Sequence, residues 1–431
     1  MTDCSASRTA TSAAIKFNLI SNPDSSDGAG RLGQQPVWGR CLPGLIIDSD
    51  FAMSAYQHMR RYLYRAQRLL DIPAVLELLQ FRDLSRAFYS GFWQDSATSL
   101  GASCEVWEFG YHRIARSGLS TLVRGSGVRL DDHLILALMG NKLLTYRLLA
   151  EQGLDVPRHV RCTPTNLEPA HRLMAEIGKP LVIKPMSGTG GGQGVTTGIT
   201  DAKSLRRAAR FASRFDPDLL AEEQIEGASY RLLYLDGELI DAVRRDPPRL
   251  VADGKSTIRQ LMKLENRRRL TGRPFTALRP LRLDRDAQNY LAAHGLSSSS
   301  IPAAGEVIVI KRAVNENSAA ENHVVRSEVH PATAALGAKL VQNLGVRLAG
   351  LDLLCRDISQ PLTRANGLIS EINTTPGLHH HVLIADQHNA AAVGAILLGH
   401  LFETSSGVIR TDAAEAAPAI AAAGGGSRND A

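Results

Sequence analysis

Cysteine and aromatic residues are scarce in this sequence, and each shortage excludes a class of protein. The five cysteines of the 431-residue chain are scattered and never form a CxxC spacing. A disulfide framework and a structural zinc site are therefore excluded, and the thiols are expected to be reduced. Aromatic residues make up only 5% of the chain. In the basic region 241–282 only Phe275 lies near the arginines, so base-stacking side chains are missing and nucleic acid is not an expected partner.

Long hydrophobic runs are also missing. The longest apolar stretches, residues 134–139 and 391–402, are shorter than the ~18–20 residues that a membrane helix needs. No membrane partner is expected, and because no secretory leader pattern opens the chain, we expect a cytoplasmic protein. Hydrophobic residues (44%) and charged residues (21%) have ordinary globular proportions, which excludes a disordered chain. The length predicts two or three domains.

Positive charge is concentrated in one region. The net charge of the chain is +6, and residues 241–282 contain twelve Lys or Arg but only four Asp or Glu. A local cationic excess is typical of a site for an anionic ligand, and arginine pairs bidentately with carboxylates. The charge distribution therefore favours a carboxylate-bearing substrate.

The spacing of apolar residues alternates between helix and strand, which predicts an α/β protein. Helical spacing covers residues 53–80, 132–140 and 142–152, and short strands are predicted at 44–48 and 104–109. After residue 167 the predicted strands come in pairs, which indicates antiparallel sheets with helices on one side. The two halves of the chain therefore differ in architecture.

A glycine-dense segment follows a predicted strand. Five of the seven residues from 188 to 194 are glycine, and Lys184 lies on the strand before them. Backbone N–H groups of such a loop can surround phosphate oxygens, since no Cβ blocks their approach, and a lysine adds positive charge. A flexible hairpin turn is the alternative interpretation. Two rival nucleotide motifs, at 254–256 and 28–33, lack either a leading glycine or flanking elements.

Three oxygen-bearing side chains lie on two predicted strands further along. Asp352 ends the segment Gly-Leu-Asp, and Glu371 and Asn373 are two residues apart, which places both on one face of a strand. Such an all-oxygen set suits Mg²⁺, a hard ion that also binds substrate phosphates. Together with a phosphate-binding loop, these residues predict a metal–nucleotide site.

These motifs resemble the ATP-grasp family, and most closely the ATP-grasp part of cyanophycin synthetase. D-alanine–D-alanine ligase and glutathione synthetase-type enzymes are also similar. The resemblance rests on segments that follow one another in a fixed order: residues 141–157, 184–194, 222–227, 244–254, 328–331, 350–352 and 371–378.

The resemblance implies an ATP-grasp fold, α/β (α+β), with an N-terminal α/β pre-grasp domain. It divides the chain into a flexible arm, the N-terminal domain, a small subdomain with the glycine-rich loop, a C-terminal subdomain with the metal site and a disordered tail. The corresponding ranges are 1–40, 41–140, 141–230, 231–405 and 406–431.

The resemblance also implies roles for individual residues. The ATP-binding set is Lys142, Lys184, Ser187, Gly190, Gly191, Gly192, Glu222, Glu223 and Ile225. Residues that would face the reacting acyl-phosphate or the acceptor are Arg244, Arg245, Lys311, Arg312 and Asn315. Metal ligands would be Asp352, Glu371 and Asn373, and substrate contacts would be His330 and His379. For His330, helix capping is an equally good interpretation of its position before Pro331.

The activity that the resemblance implies is ATP-dependent ligation of a carboxylate to an amine, with ADP and phosphate as products. ATP and two Mg²⁺ ions, which Mn²⁺ can replace, would be the cofactors, and the substrates would be amino acids or short peptides. A homo-oligomer is expected. Two alternatives stay open: an ATP-grasp kinase or ligase of a non-peptide acid, and a nucleotide-binding scaffold without turnover.

Overall fold

Three antiparallel sheets and a two-stranded ribbon organise the part of the chain that the structure describes. The computed structural model describes residues 72–187 and 192–410, together with Met59. Gly190 and Gly191 of the predicted phosphate loop lie outside the described residues, as do the predicted strand 44–48, the predicted arm and everything after residue 410. Helices alternate with these sheets along the chain, so the predicted mixed α and β fold class is confirmed.

The first sheet packs against a long helix, and the sequence pattern predicted only the first part of that helix. This helix, α1 (Ile72–Ser99), packs against a sheet with strand order β1-β2-β3-β15 and against α9 (Val393–Glu403). Trp93 of α1 is fully buried and donates its Nε1–H to the carbonyl oxygen of Gly125 at 2.8 Å. The strands are β1 (Ser103–Val106), β2 (Tyr111–Arg116), β3 (Leu119–Arg124) and β15 (Ile409–Arg410).

The second sheet has the order β4-β7-β5-β6 and carries α4 (Glu168–Ile177) and α5 (Ala202–Ala212). Leu205, Ala208, Ala209 and Ala212 are all fully buried, because their spacing places them on one face of α5. Asp201 caps this helix with a capping box. The strands are β4 (His159–Cys162), β5 (Leu181–Pro185), β6 (Thr196–Ile199) and β7 (Leu219–Glu223).

The third sheet has the order β12-β9-β8-β13-β14, with α8 (Pro331–Asn343) packed on one side. Asp236 and Gly237 join β8 to β9 with positive φ angles of 47° and 85°, as expected for the Asp-Gly turn of a two-residue hairpin. The strands are β8 (Ala228–Leu235), β9 (Glu238–Arg245), β12 (Asn322–Val324), β13 (Leu348–Cys355) and β14 (Gly367–Asn373).

The remaining described elements connect these sheets. The ribbon of β10 (Arg249–Val251) and β11 (Val307–Val309) shares an apolar core with α6 (Ile258–Arg269) and α7 (Arg285–Ala293). Two short helices, α2 (His133–Met139) and α3 (Lys142–Glu151), precede the second sheet. Among the described residues, none of the helices combines the length and apolarity that a membrane crossing requires.

Two buried helical glycines provide a test of the packing. A Cβ at Gly337 of α8 would lie 2.2 Å from the hydroxyl of Tyr234, whereas a Cβ at Gly399 of α9 would meet nothing closer than a Glu403 oxygen at 3.9 Å. We expect Gly337→Ala to lower the free energy of unfolding by about 1–3 kcal/mol through overpacking. Gly399→Ala should raise it by about 0.5–1 kcal/mol through helix propensity.

Urea unfolding of the two variants beside the parent chain measures both effects. Equal changes of the same sign would contradict the packing of α8 against β8.

Candidate active site

Two cavities meet at a shared wall between the second and third sheets. The smaller has a volume of about 470 Å³ and the larger about 1120 Å³. Both are lined by the same set of residues at their junction: Gly192, Ser229, Arg245, Ala313, Val314, Leu354, Ser370 and Glu371. The two cavities therefore adjoin along these residues.

Lys184 lies in the smaller cavity within a closed triangle of polar contacts. Its Nζ is 2.8 Å from Glu222 Oε2 and donates to the hydroxyl of Tyr146 at 3.0 Å, and that hydroxyl donates to Glu222 at 2.8 Å. The pairing of β5 with β7 places Val182 opposite Glu222, so Lys184 is a diagonal neighbour on the same face. Burial, reinforced by Glu222, raises the pKa of Tyr146 well above its ordinary value. The triangle holds the ammonium group in one position.

A second lysine enters the smaller cavity from the start of α3. The Nζ of Lys142 is 3.5 Å from Glu371 Oε1. Its backbone N–H donates to the carbonyl oxygen of Met186 at 3.1 Å, which ties the beginning of α3 to the end of β5. Asn141 caps the helix by accepting from Leu143 and Leu144. Lys142 and Lys184, predicted as phosphate ligands, therefore lie in one cavity.

The other walls of the smaller cavity combine apolar side chains with backbone. Val182 and Val195 come from the second sheet and Leu354 comes from the third, and the segment 222–227 runs between them. The predicted adenine-reading residues Glu222, Glu223 and Ile225 all belong to this lining. This slot, formed by apolar side chains and the segment 222–227, is suited to an organic ring system.

Asp352 lines the larger cavity and is paired with two buried arginines. Arg231 donates to both carboxylate oxygens at 2.7 and 2.8 Å, and Arg245 reaches Oδ2 at 3.1 Å. This follows from the strand register, in which Asp352 pairs with Arg231 of β8 on one side and with Glu371 of β14 on the other. Burial raises the pKa of Asp352, but the two guanidinium groups outweigh it and hold the value below the ordinary one.

The three predicted metal ligands are neighbours on the third sheet. Asp352 and Glu371 are cross-strand partners, and Asn373 follows Glu371 on the same face. Carboxylate and amide oxygens are the ligands that Mg²⁺ prefers, and Glu371 and Asn373 both line the larger cavity. Asp352 already uses both oxygens for arginine, and the described residues contain no cluster of three His, Cys, Asp or Glu of the kind that holds a metal by itself. Glu371 and Asn373 therefore fit an ion that takes its other ligands from phosphate.

The larger cavity is lined by residues of α1 and by a 3₁₀ turn, Leu378–His381. The Tyr89 hydroxyl and His379 Nδ1 are 3.0 Å apart. Burial, together with Arg279 and Arg231, lowers the pKa of His379 to about 3. Burial also raises the pKa of Tyr89 to about 12. Both side chains are neutral at physiological pH, so His379, predicted as a substrate contact, acts in this cavity as a hydrogen-bonding group rather than as a cation.

The described end of the glycine-rich loop contacts another predicted residue. Gly192 has φ +65°, and a Cβ there would lie 2.9 Å from the amide nitrogen of Asn315. Only glycine accommodates both this backbone conformation and this close approach. The structure thus places Gly192 and Asn315 together where the two cavities join.

Several predicted site residues lie elsewhere, and local geometry explains each position. Arg244 and Arg245 are adjacent on β9, so their side chains leave on opposite faces, and Arg244 pairs with Asp246 at 3.1 Å instead of lining a cavity. The side chain of Lys311 is fully buried between Asp284 (2.9 Å) and Glu316 (2.5 Å). Neither side chain lines either of the two cavities, and a role at the reacting groups stays a prediction for both.

Four further predicted residues are engaged in structural contacts. His330 accepts from the backbone N–H of Ala332 at 3.1 Å and caps α8, which supports the capping interpretation, and the substrate contact stays a prediction. Ser187 binds Asp216 through its backbone N–H and hydroxyl, both at 2.8 Å, and is not a cavity residue. The Glu223 carboxylate pairs with Arg364. Arg312 lines the smaller cavity, where it pairs with Glu226 at 2.7 Å.

The sequence analysis missed cavity residues that carry no local motif. They are Tyr89, Arg231, Arg279 and Arg282, and the analysis also missed Tyr146, which contacts Lys184 and Glu222. Arg231 had one usable signal, because an arginine inside an otherwise apolar strand needs a buried carboxylate. The position of Tyr89, on a helix remote in sequence, had none.

Comparison with known proteins identifies relatives of this chain. It is 29% identical over 259 residues to cyanophycin synthetase of Trichormus variabilis, an alignment covering 60% of this chain and 28% of that protein. It is 28% identical over 272 residues to the glutathione biosynthesis bifunctional protein GshAB of Clostridium perfringens, covering 62% and 34%. The chain thus spans about a third or less of these curated relatives. The predicted resemblance to ATP-grasp ligases is confirmed.

Solved structures also align with this chain. A bifunctional glutathione synthetase from Pasteurella multocida aligns at a TM-score of 0.45 and 22% identity, covering 70% of this chain and 42% of that one. No protein-family model matches the sequence.

The pairing of Asp352 with two arginines predicts a pH-dependent stability. Because the pKa of Asp352 is lower in the folded protein than its ordinary value of 3.8, its ion pairs contribute stability above that pH. We expect Asp352→Asn to cost about 3–5 kcal/mol near neutral pH. The difference from the parent chain should shrink as the pH falls below 3.8.

Urea unfolding at several pH values measures this difference. Asp155→Asn, at an exposed position, is the matched control and should have little effect at any pH. A penalty for Asp352→Asn that stays constant into acid would refute the ion-pair assignment.

Proposed function

We propose that this relative of the ATP-grasp ligases is an ATP- and Mg²⁺-dependent carboxylate–amine ligase. It would join an amino acid to another amino acid or a short peptide through an amide bond. The observation that carries the proposal is the junction of two cavities at a wall that contains Arg245 and Glu371. One cavity suits a nucleotide, the other suits the acid and the amine, and the wall is where phosphate would meet carboxylate.

The nucleotide would bind in the smaller cavity. Its base would occupy the slot along segment 222–227, and its phosphates would extend toward Lys142 and Lys184. The Lys184 ammonium group pairs with Glu222 and the Lys142 ammonium group with Glu371 in this structure, so both lysines are already oriented into the cavity. Positive groups held in place before the substrate arrives stabilise transferring phosphate without further reorganisation.

The reaction requires positioning and charge stabilisation rather than a protein nucleophile. A carboxylate oxygen of the acid attacks the γ-phosphorus, the bond from that phosphorus to the β–γ bridging oxygen breaks, and ADP leaves. The amine nitrogen then attacks the acyl carbon of the acyl-phosphate, phosphate departs with the electron pair of the C–O bond, and the nitrogen loses a proton. Arg245, at the wall, would face the charge that develops on the transferred phosphate.

Magnesium would be held by Glu371 and Asn373 together with phosphate oxygens. When bound, it neutralises the phosphates and supplies Lewis-acid polarisation of the transferring group. Asp352 would contribute mainly by fixing Arg231 and Arg245. The number of ions, the use of Mn²⁺, a homo-oligomeric state and a cytoplasmic location stay predictions.

Turnover by the purified protein tests the proposal. With Mg²⁺ and ATP, pools of amino acids and dipeptides should yield ADP, phosphate and a product one water lighter than its two parts, detected by mass spectrometry. ADP with a phosphorylated acid, formed without any amine, would establish the kinase alternative instead. Nucleotide binding without ADP formation in any pool would favour the scaffold.

Variants of two lysines sharpen this test. We expect Lys184→Met to lower kcat/KM for ATP by about 100-fold or more, because a positive group that contacts the transferring phosphate is lost. Lys339→Met, at an exposed position on α8, removes the same charge outside both cavities and should be neutral. Equal activity of the two variants would contradict the placement of the nucleotide.

A further inference from the structure

Two arginines of the larger cavity have no carboxylate to pair with. Arg279 and Arg282 both line this cavity. Within residues 72–187 and 192–410, no carboxylate oxygen lies within 4.0 Å of either guanidinium group, and neither group donates a hydrogen bond. Most other arginines of the basic region 241–282 differ: Arg244 and Arg249 pair with Asp246, and Arg268 and Arg269 pair with Glu265.

The backbone beneath these two arginines is held in place by buried polar groups. The Leu281 N–H donates to the Asn266 side chain at 2.7 Å, and the Arg282 N–H donates to Glu316 at 2.8 Å. The carbonyl oxygen of Arg279 accepts from the fully buried guanidinium of Arg269 at 2.9 Å. The segment is thereby fixed while its arginine side chains stay available, which is the arrangement of a preorganised binding site.

Other arginines lie in the same cavity as Arg279 and Arg282. Burial lowers the pKa of Arg279, as does the neighbouring Arg282, while Glu316 acts in the opposite direction. Arg231 and Arg245, in the same cavity, share the single carboxylate of Asp352. Arg279 nevertheless remains exposed to solvent, and like charges gathered at a cavity attract an anionic ligand.

Arg279 and Arg282 are separate from the reacting position. Neither belongs to the residues that the two cavities share, and neither lines the smaller cavity. We therefore assign the carboxylate that reacts at the shared wall and the carboxylate that these arginines bind to two different groups.

We propose that Arg279 and Arg282 form a subsite for a second, non-reacting carboxylate of the substrates. The inference rests on the proposed ligase function and narrows its substrate class. Either the acid is a dicarboxylate, or the amine carries a free carboxylate of its own. Arginine recognises a carboxylate through two parallel N–H···O hydrogen bonds, and two arginines hold it more specifically than one.

Binding, measured apart from turnover, tests the subsite. Thermal unfolding of the full chain is followed with Mg²⁺, a non-hydrolysable ATP analogue and one of two pairs of probes. N-acetyl-L-glutamate and N-acetyl-L-glutamine are amine-blocked acids that differ by one carboxylate, and they probe the acid. Pooled L-amino acids and pooled L-amino acid amides probe the amine.

We expect the parent chain to be stabilised more by the carboxylate member of at least one pair, and the pair that responds identifies the substrate concerned. Arg279→Gln and Arg282→Gln should weaken that response about 10- to 100-fold in dissociation constant. Arg267→Gln is the matched control, since it removes an exposed charge of the same basic region outside the cavity.

Two results would overturn the proposal: no difference within either pair for the parent chain, or an equal loss in Arg267→Gln. Unfolding of each variant without probes shows that it is folded before its binding is compared. Because the readout is binding, the subsite stands if probe discrimination persists in a chain that forms no ADP, and in that case only the ligase function fails.

Discussion

The central constraint in this structure is the burial of Asp352 between Arg231 and Arg245. Two guanidinium groups share this one carboxylate beside the wall between the two cavities. Burying such a group is costly unless hydrogen bonds and opposite charge compensate it, and the Nε of Arg245 finds no hydrogen-bond partner among the described residues. In the proposed reaction, the transferring phosphate would supply the partner that this group lacks.

The charged residues also differ in whether the protein itself compensates their charge. Charges buried outside the cavities are compensated by the protein itself, as Lys311 is by Asp284 and Glu316. In the larger cavity, Arg279 and Arg282 have no carboxylate partner among the described residues. Lys311 and Glu316 still serve the site indirectly, since Glu316 also accepts from the backbone of Arg282 and so supports the segment that carries the unpaired arginines.

Residues inside local motifs were predictable from the sequence. Lys184, Gly192 and Glu371 were recognised because each lies in a pattern whose chemistry depends on near neighbours, such as a lysine before a glycine run or an acid two residues from an amide. Arg244, Lys311 and His330 lie outside the lining of the two cavities for physical reasons. Side chains alternate between the two faces of β9, so Arg244 lies on the face opposite to Arg245. Lys311 is buried in ion pairs, and His330 caps a helix.

The sequence by itself determined the kind of elements, the phosphate-binding and metal-binding residue types and the family resemblance, because these depend on spacing over a few residues. Only the tertiary structure decided which charges are neutralised and which remain available. Ion pairs such as Arg231–Asp352 join residues that are distant in the chain, and their formation depends on strand register. Residues 241–282 have a net charge of +8 in the sequence. In three dimensions, several of their arginines pair with carboxylates of the protein, whereas Arg279 and Arg282 line the larger cavity without a carboxylate partner among the described residues.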